Sequence, residues 1–466
     1  MQKPCQLYFL PIGGTAMAPL AGLMQESGLS VCGVDAALYP PMSELLAELG
    51  IPVRLGYDPA AIPAGVEQVV IGNAVPRTNP EVEAVLASGL PFTSQAAAFG
   101  ERFCRPARTV VVAGTHGKTT TTALCTHVFT CCGLDPTALI GGVPRGGRPW
   151  RLGRCGWTIV EGDEYNTAFF DRGPKFLHYH PHLFVVGNVE FDHADIYPDL
   201  DAIVAAFRAG TALVAGSGAV VANCDDPGAR AVASDHPNVV WYGHDRRADL
   251  RCVGWGHADG KLAASLAWRG TVFSVGVPLT GMHNLANVMA TCACALLAGL
   301  DPQAVDAALR SFPGVRRRLE IVGESHGVTV VDDFAHHPTA VRLTLEGARV
   351  RFGRRRLVAV FEPRSLTAGR PVFAPAYEEA FTVADLALIA PVFHRQRLGP
   401  AQVLDREALV RAVARRGGAA AAIPDDADLL LAVRSHVRAG DVVICMSSGD
   451  FGGLPRRLLE ELEGKP

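Results

Sequence analysis

The decapeptide Ala113–Thr122, AGTHGKTTTT, follows directly on the apolar run Thr109-Val110-Val111-Val112. A β-branched run, a glycine turn carrying Lys118 and Thr119, and a helix-compatible segment form the strand–loop–helix that cradles nucleotide phosphates. Gly114 and Gly117 let backbone N–H groups approach phosphate oxygens. The helix start adds partial positive charge, Lys118 adds a full one, and the Thr119 hydroxyl suits Mg2+. The loop is shorter than the usual pattern, because Val112 stands where a further glycine is expected. The chain has five lysines (Lys3, Lys118, Lys175, Lys261 and Lys465), so a lysine inside a glycine loop is unlike filler.

Two later strand ends carry groups that could complete such a site. Trp157–Val160 predicts a strand delivering Glu161-Gly162-Asp163-Glu164. Leu183–Val186 predicts another, delivering Gly187-Asn188-Val189-Glu190-Phe191-Asp192-His193. Acidic and imidazole groups at strand ends beside a phosphate loop hold Mg2+ against the phosphates, which nominates Glu161 and His193. Asp163, Glu164, Asp192 and Asp195 read as loop-solvating carboxylates, Asp195 also as a helix N-cap. Further on, Gly281–Asn287 enters a helix spanning Val288–Ala298. There His283, Asn284 and Asn287 share one face, and two readings stay open: a purine-binding face, or a capping Asn with a partly buried His.

The elements that must position these residues fall into three parts, bounded at 1–106, 107–313 and 314–466. The first opens with strand Leu7–Leu10, the turn Pro11–Met17, helix Ala18–Ser27 and strand Leu29–Val34 ending at Asp35. This is a Rossmann-type unit in which Asp35 could reach a ribose, although an ordinary tight turn would read the same. Strand Gln68–Ile71 ends at Gly72-Asn73-Ala74, and Arg102–Arg108 reads as a linker. The third part begins after a hinge at Ser311–Gly314. Its strands are Val328–Val331, Leu357–Phe361, Leu386–Ile389 and Val442–Met446, with polar clusters at their C-terminal ends, again a doubly wound pattern. Arg316–Arg318 reads as a solvated basic patch and His336-His337 as a metal-free turn.

Composition fits this organisation. A chain of 466 residues, 49% hydrophobic and 19% charged, has ample core for several domains. A net charge of -3 gives no reason to expect nucleic acid or a membrane surface as partner. The N-terminus does not read as a secretory signal, and no apolar run reaches bilayer length. The twelve cysteines contain no CxxC pair, and read as reduced, mostly buried thiols of a cytoplasmic protein.

Together the motifs resemble the Mur ligases, ATP-dependent amide-forming enzymes of bacterial peptidoglycan synthesis. GTHGKTTT (Gly114–Thr121), the Glu161 strand end, NVEFDHAD (Asn188–Asp195), GMHNLAN (Gly281–Asn287), RRLE (Arg317–Glu320) and DDFAHHP (Asp332–Pro338) occur in the family's order along the whole chain. The resemblance implies an α/β chain of three domains: a Rossmann-like N-terminal domain, a central P-loop ATPase domain and a Rossmann-like C-terminal domain. It implies UDP-N-acetylmuramate at Gly13, Gly14, Thr15, Ala16 and Met17, with Asp35 and Asn73 nearby. ATP would lie on Gly114, Thr115, His116, Gly117, Lys118, Thr119 and Thr120, with His283, Asn284 and Asn287 at the adenine. Arg318 and Asp333 would reach it from across the hinge. Thr119, Glu161 and His193 would hold Mg2+; Lys118, Glu161, His193 and His337 would be catalytic, His337 near the reacting carboxylate.

FEPRS (Phe361–Ser365), SSGDFGG (Ser447–Gly453) and EGDEYNTAFFDRGPKFLHYHP (Glu161–Pro181) look like the branch that attaches the murein tripeptide L-alanyl-γ-D-glutamyl-meso-diaminopimelate. Arg364, Ser365, Ser447 and Asp450 would read the peptide. The branch that attaches L-alanine is the alternative, and a monomer or weak homodimer is expected. The sequence departs from the family where Pro11 replaces a glycine and where Ala368-Gly369-Arg370 is less polar than expected. It also has no lysine between Lys175 and Lys261, where many members carry a carbamylated one beside a second Mg2+.

Overall fold

The protein is described from a computed structural model covering residues 5–194, 196–258, 260–399 and 402–464. Asp195 lies outside the described residues. Three sheets, each with its own apolar layers, follow one another along the chain.

The first sheet contains β1 (Leu7–Leu10), β2 (Val31–Asp35), β3 (Val53–Leu55), β4 (Gln68–Ile71) and β5 (Phe92–Ser94), in the order β3-β2-β1-β4-β5. All pairs are parallel. β1 is buried along its whole length, as an apolar LYFL run with both faces covered requires. Because β1 pairs with both β2 and β4, winding reverses beside it, and a crevice opens at the C-terminal ends of β1 and β4. The turn Gly13–Ala16, leading into α1 (Met17–Glu26), and the exposed Asn73 both stand there.

The second sheet has ten strands: β6 (Arg108–Ala113), β7 (Thr137–Leu139), β8 (Trp150–Arg151), β9 (Trp157–Gly162), β12 (Pro181–Val186), β13 (Ala219–Asn223), β14 (Val239–Gly243), β15 (Leu250–Ala258), β16 (Lys261–Trp268) and β17 (Thr271–Val277). A separate hairpin, β10 (Asn166–Ala168) and β11 (Asp171–Pro174), sits between β9 and β12 in the chain. The order β17-β16-β15-β14-β13-β12-β6-β9-β7-β8 places β6 between β12 and β9, parallel to both. The phosphate loop therefore leaves the sheet with an acidic strand end on each side. α2 (Lys118–Cys131) and α3 (Met282–Leu297) pack together in the core beneath β6, through Leu124, Val128, Val288 and Met289.

The third sheet runs β18-β19-β23-β20-β21-β22, with β18 (Glu320–Ser325), β19 (Val328–Asp333), β20 (Leu357–Phe361), β21 (Leu386–Ile389), β22 (Ala420–Ala422) and β23 (Val442–Met446). Only the β18–β19 pair is antiparallel. The hinge is clamped to the central sheet layer by backbone bonds from Arg145 N to Gly314 O and from Arg316 N to Val143 O. The first domain is seated on the second by Trp150, whose Nε1 donates to Glu26 at 2.9 Å. Its ring lies against Gly22, where an added Cβ would fall 2.7 Å away.

Two sequence expectations need correction, and one element carried no sequence signal. The antiparallel meander β15–β17 was not foreseen, because Gly254 and Gly256 interrupt its alternation and β16 is rich in alanine. The linker reading of Arg102–Arg108 fails in its first half. Gly100–Cys104 is a π-helical turn with Phe103 and Cys104 buried, Phe103 against Phe99 at 5.4 Å between ring centroids. The reading of all twelve cysteines as reduced fails at Cys5 and Cys32, which form a disulfide because the β1–β2 register sets Leu7 opposite Val31 and brings these neighbours to a Cα separation of 6.0 Å. The other ten cysteines are free.

Candidate active site

Two glycines let the phosphate loop turn: Gly114 has φ 141° and Gly117 φ 80°. At Gly117 the backbone also runs close to α3, where a Cβ would lie 2.4 Å from Asn287 Oδ1. Asn188, at the end of β12, braces the loop. Its Oδ1 accepts from His116 N at 2.7 Å, its Nδ2 donates to His116 O at 3.2 Å, and its carbonyl accepts from Thr115 N at 2.9 Å. Lys118 opens α2, and its Nζ donates to Gly114 O at 2.8 Å and to Glu164 Oε2 at 2.7 Å. Burial opposes its charge, but Glu164, Asp163 and Glu161 outweigh it and hold the ammonium above its usual pKa.

Thr119 Oγ1 donates to Glu161 Oε1 at 3.1 Å and accepts from Arg318 at 3.1 Å. The other Glu161 oxygen accepts from Gly141 N at 2.9 Å. Burial, then the charge of Asp163, pushes the Glu161 carboxyl up to about 7. His193 is not brought to this pair. Its Nε2 lies 3.2 Å from Glu164 Oε1, and its left-handed backbone (φ 53°) is held by Asp192 Oδ1, which accepts from His193 N at 2.7 Å. Glu164, Asp163 and Asp192 are thus not loop-solvating. Glu164 is 3% exposed and shared by Lys118 and His193, Asp163 is paired to Lys175 at 3.0 Å, and Asp192 is buried. Adjacent acidic residues in a loop look alike in sequence whether they face water or an ammonium. Thr120 is buried in the first turn of α2.

His283, Asn284 and Asn287 form a chain on the first turns of α3. Asn284 Nδ2 donates to Thr280 O at 2.8 Å and faces His283 Nε2 at 3.0 Å, while Asn287 Nδ2 donates to Asn284 Oδ1 at 3.1 Å. Burial, with the charge of Arg318 second, pushes the His283 imidazole down to about 4. Arg317–Arg318 is no solvated patch: Arg317 donates to the carbonyls of Ser447 and Gly449 and pairs with Asp332, and Arg318 crosses to Thr119 over the Phe334 ring. Asp333 spends both oxygens on hinge geometry, accepting from Leu319 N, Ala335 N and Thr344 Oγ1. His337 caps α4 (Pro338–Phe352) through Nδ1, which accepts from Thr339 N at 3.3 Å. Its ring is buried between His116 and Phe373, 4.6 Å from each. His116, Glu190 and His337 offer ligand atoms within 4.8 Å of one another, the one such metal-type group among the described residues.

All three domains line one cavity of about 1940 Å3, including Thr15 and Tyr39 from the first, Lys118 and Glu161 from the second, and Arg318 and Asp450 from the third. Pockets for a single drug-sized ligand measure about 300–1,000 Å3, so the space suits several substrates together.

Residues 6–105 match the description "Mur ligase family, catalytic domain", residues 112–295 "Mur ligase middle domain" and residues 317–449 "Mur ligase, glutamate ligase domain". The UDP-N-acetylmuramate–L-alanyl-γ-D-glutamyl-meso-2,6-diaminoheptandioate ligase of Escherichia coli (strain K12) is 37% identical over 472 residues, covering 99% of each chain. The chain belongs to the Mur ligase family. It is an ATP-dependent ligase with the family's three-domain α/β architecture. The UDP-N-acetylmuramate–L-alanine ligase of Arthrobacter sp. (strain FB24) is 38% identical over 83% of this chain and 81% of its own. The crystal structure of a murein peptide ligase from Psychrobacter arcticus superposes with a TM-score of 0.74 at 30% identity, covering 98% of both chains.

In this Mur ligase the outer domains are also pre-shaped. Asp35 Oδ2 accepts from Gly13 N at 2.7 Å, so it stiffens the first glycine turn. Thr15 and Ala16 face the cavity, Gly14 is half-buried at the turn, and Met17 is buried as the first residue of α1. In the third domain Arg364 pairs with Asp450 at 3.1 Å and stacks on Phe393 at 3.9 Å from the ring centroid. Ser447 is buried, donating to Glu362 Oε2 at 2.5 Å and accepting from Gly449 N at 2.9 Å. Ser365 is turned into a local bend, accepting from Ala368 N at 3.0 Å. Asn188 and Glu190 were not singled out from sequence, although both lie inside NVEFDHAD, and Glu164 was read only as a loop-solvating carboxylate. No described helix is long and apolar enough to cross a membrane.

Proposed function

We propose that this chain joins L-alanyl-γ-D-glutamyl-meso-diaminopimelate to the lactyl carboxylate of UDP-N-acetylmuramate, converting ATP to ADP and phosphate. The observation that carries the reading is the single cavity in which the phosphate loop, the first domain's glycine turn and the third domain's Ser448–Asp450 end converge. The E. coli relative named for this reaction matches over 99% of its length, which supports the acceptor assignment.

A carboxylate is a poor electrophile and must first take the γ-phosphoryl group. The carboxylate oxygen bonds to phosphorus, the bond to the β-bridging oxygen breaks, and ADP leaves with the electron pair. Lys118 at the loop and Arg318 from across the hinge would balance charge on the phosphoryl oxygens, and His283, Asn284 and Asn287 would hold the base. Thr119 and Glu161 are two oxygen donors facing each other beside the loop, a pair that would hold Mg2+, whereas His193 is turned to Glu164 and stands outside it. Bound there, the ion would neutralise the phosphate oxygens. The peptide amine then attacks the acyl carbon, the N–C bond forms, and phosphate leaves with the C–O electron pair. Against an ammonium substrate, two protons leave nitrogen overall. Closure of the third domain over the second excludes water, which would otherwise hydrolyse the acyl phosphate. UDP would sit at the Gly13–Met17 turn and the start of α1, near Asp35 and Asn73.

Phosphate release from ATP with UDP-N-acetylmuramate tests the reading, comparing the tripeptide with free L-alanine. Turnover with the tripeptide alone is expected. Turnover with L-alanine, favoured by the Arthrobacter relative, would make this the biosynthetic alanine ligase instead.

A further inference from the structure

Glu190 has no part in the steps above, yet it stands at the edge of the phosphate loop. Its N–H donates to Thr115 Oγ1 at 2.9 Å, and its carbonyl accepts from that hydroxyl at 3.3 Å. Its side chain, 35% exposed, lines the cavity. The two carboxylate oxygens differ. Oε2 accepts from Thr339 Oγ1 at 2.7 Å and faces His116 Nε2 at 3.3 Å and His337 Nδ1 at 3.7 Å. Oε1 has no hydrogen-bond partner among the described residues.

The contacts gather on Oε2, where the His116 ring faces it, while Lys118 donates to Glu164 and Arg318 to Thr119. His337 does not supply a charge, because Nδ1 accepts from Thr339 N and so carries no proton. A carboxylate oxygen that no cationic side chain engages is therefore presented where phosphates and a substrate carboxylate must also gather. A cation that arrives with the substrates would pair it, and the acceptor peptide enters as an ammonium. A divalent ion is the other candidate for His116, Glu190 and His337. Two of those three donors are already engaged, Glu190 Oε2 by Thr339 and His337 Nδ1 by the backbone, which favours the ammonium.

We propose that Glu190 binds the ammonium of the incoming acceptor through Oε1 and sets the nitrogen beside the acyl phosphate. The assignment rests on the ligase reading and deepens it. It makes Glu190 an acceptor-binding residue contributed by the central domain, with a preference for primary amines that arrive charged.

The test is Glu190→Gln in the full-length enzyme with ATP, Mg2+ and UDP-N-acetylmuramate, using two nucleophiles. The glutamine keeps an oxygen for Thr339. With the tripeptide, kcat/KM should fall about 30-fold, mostly through KM. Hydroxylamine, uncharged in mildly alkaline buffer, attacks the same acyl carbon and displaces phosphate to give a hydroxamate. Its rate should stay within about threefold of the wild type, since no ammonium needs anchoring. Equal losses with both nucleophiles would overturn the proposal and assign Glu190 to the loop or to a metal. Thr339→Val removes the tether and leaves the carboxylate. If it reproduced the glutamine variant's pattern, Glu190 would be a closure contact and not an ammonium site. A wild type that neither ligates the tripeptide nor yields hydroxamate would overturn the ligase reading itself, and the Glu190 assignment with it.

Discussion

Replacing Lys118 by alanine should destabilise the central domain as well as stop the chemistry. Its ammonium lies 2.7 Å from Glu164, whose side chain is 3% exposed. Removing one partner of a buried ion pair costs about 3–5 kcal/mol, because the remaining charge is left without compensation. His193 still faces the other Glu164 oxygen at 3.2 Å, so the cost falls at the lower end, about 3 kcal/mol. For a domain of this size that is a Tm loss of about 6–12 °C. The deficit should also depend on pH. Burial lowers the His193 pKa and the Glu164 carboxylate more than offsets it, so the folded value is raised. The support from His193 is full at low pH and is lost as pH rises through that value, and the deficit therefore grows with pH. Lys118→Ala combined with Glu164→Gln neutralises the stranded carboxylate and should recover about 2 kcal/mol. Ligation should not recover, since the cation at the transferring phosphoryl group is worth at least about 100-fold in kcat. Thermal unfolding from mild acid to mild alkali and phosphate release on the same samples measure both, with UDP-N-acetylmuramate binding as the control for the first domain. A double variant no more stable than the single one, or one that ligates, would refute the reasoning.

Gly117→Ala places a Cβ 2.4 Å from Asn287 Oδ1 at φ 80°, costing about 1–2 kcal/mol for the backbone alone; calorimetry should find ADP binding weakened, and unchanged affinity would mean the loop moves freely away from α3. Burial, with His116 second, pushes the His337 imidazole from 6.5 down to about 4, so the stability it contributes is present above the first value and lost as pH falls through the second. His337→Asn, which can still cap α4, should flatten the fall in Tm across that window, whereas parallel profiles would show that His337 titrates as it does unfolded. Arg364→Ala removes the partner of Asp450 and the stack on Phe393 and should raise the tripeptide KM about tenfold, with hydroxamate formation unaffected; a matching loss of hydroxamate would move Arg364 out of acceptor binding.

Much of the layout was legible because it is local. Gln68–Ile71, Leu357–Phe361, Leu386–Ile389 and Val442–Met446 form strands over the residues read from their apolar runs, since a doubly covered parallel strand is apolar throughout. The phosphate loop announces itself for the same reason, as its turn needs glycine within a few residues of Lys118 and Thr119. The meander Leu250–Val277 was missed because glycine and alanine carry little periodic signal.

What the sequence by itself determined is the set of local pieces and their order: a glycine turn after β1, a phosphate loop after β6, two acidic strand ends, and polar clusters closing the strands of the third domain. Which charges meet was decided only by the tertiary structure. Glu161 and Glu164 lie three residues apart on one strand end, yet one faces the Thr119 hydroxyl and the other the Lys118 ammonium. Asp333 turns inward to hold the hinge, and Glu190 is left with one oxygen unpaired. Burial and pairing between residues tens to hundreds of positions apart set these outcomes, and neither leaves a trace in the spacing of neighbours along the chain.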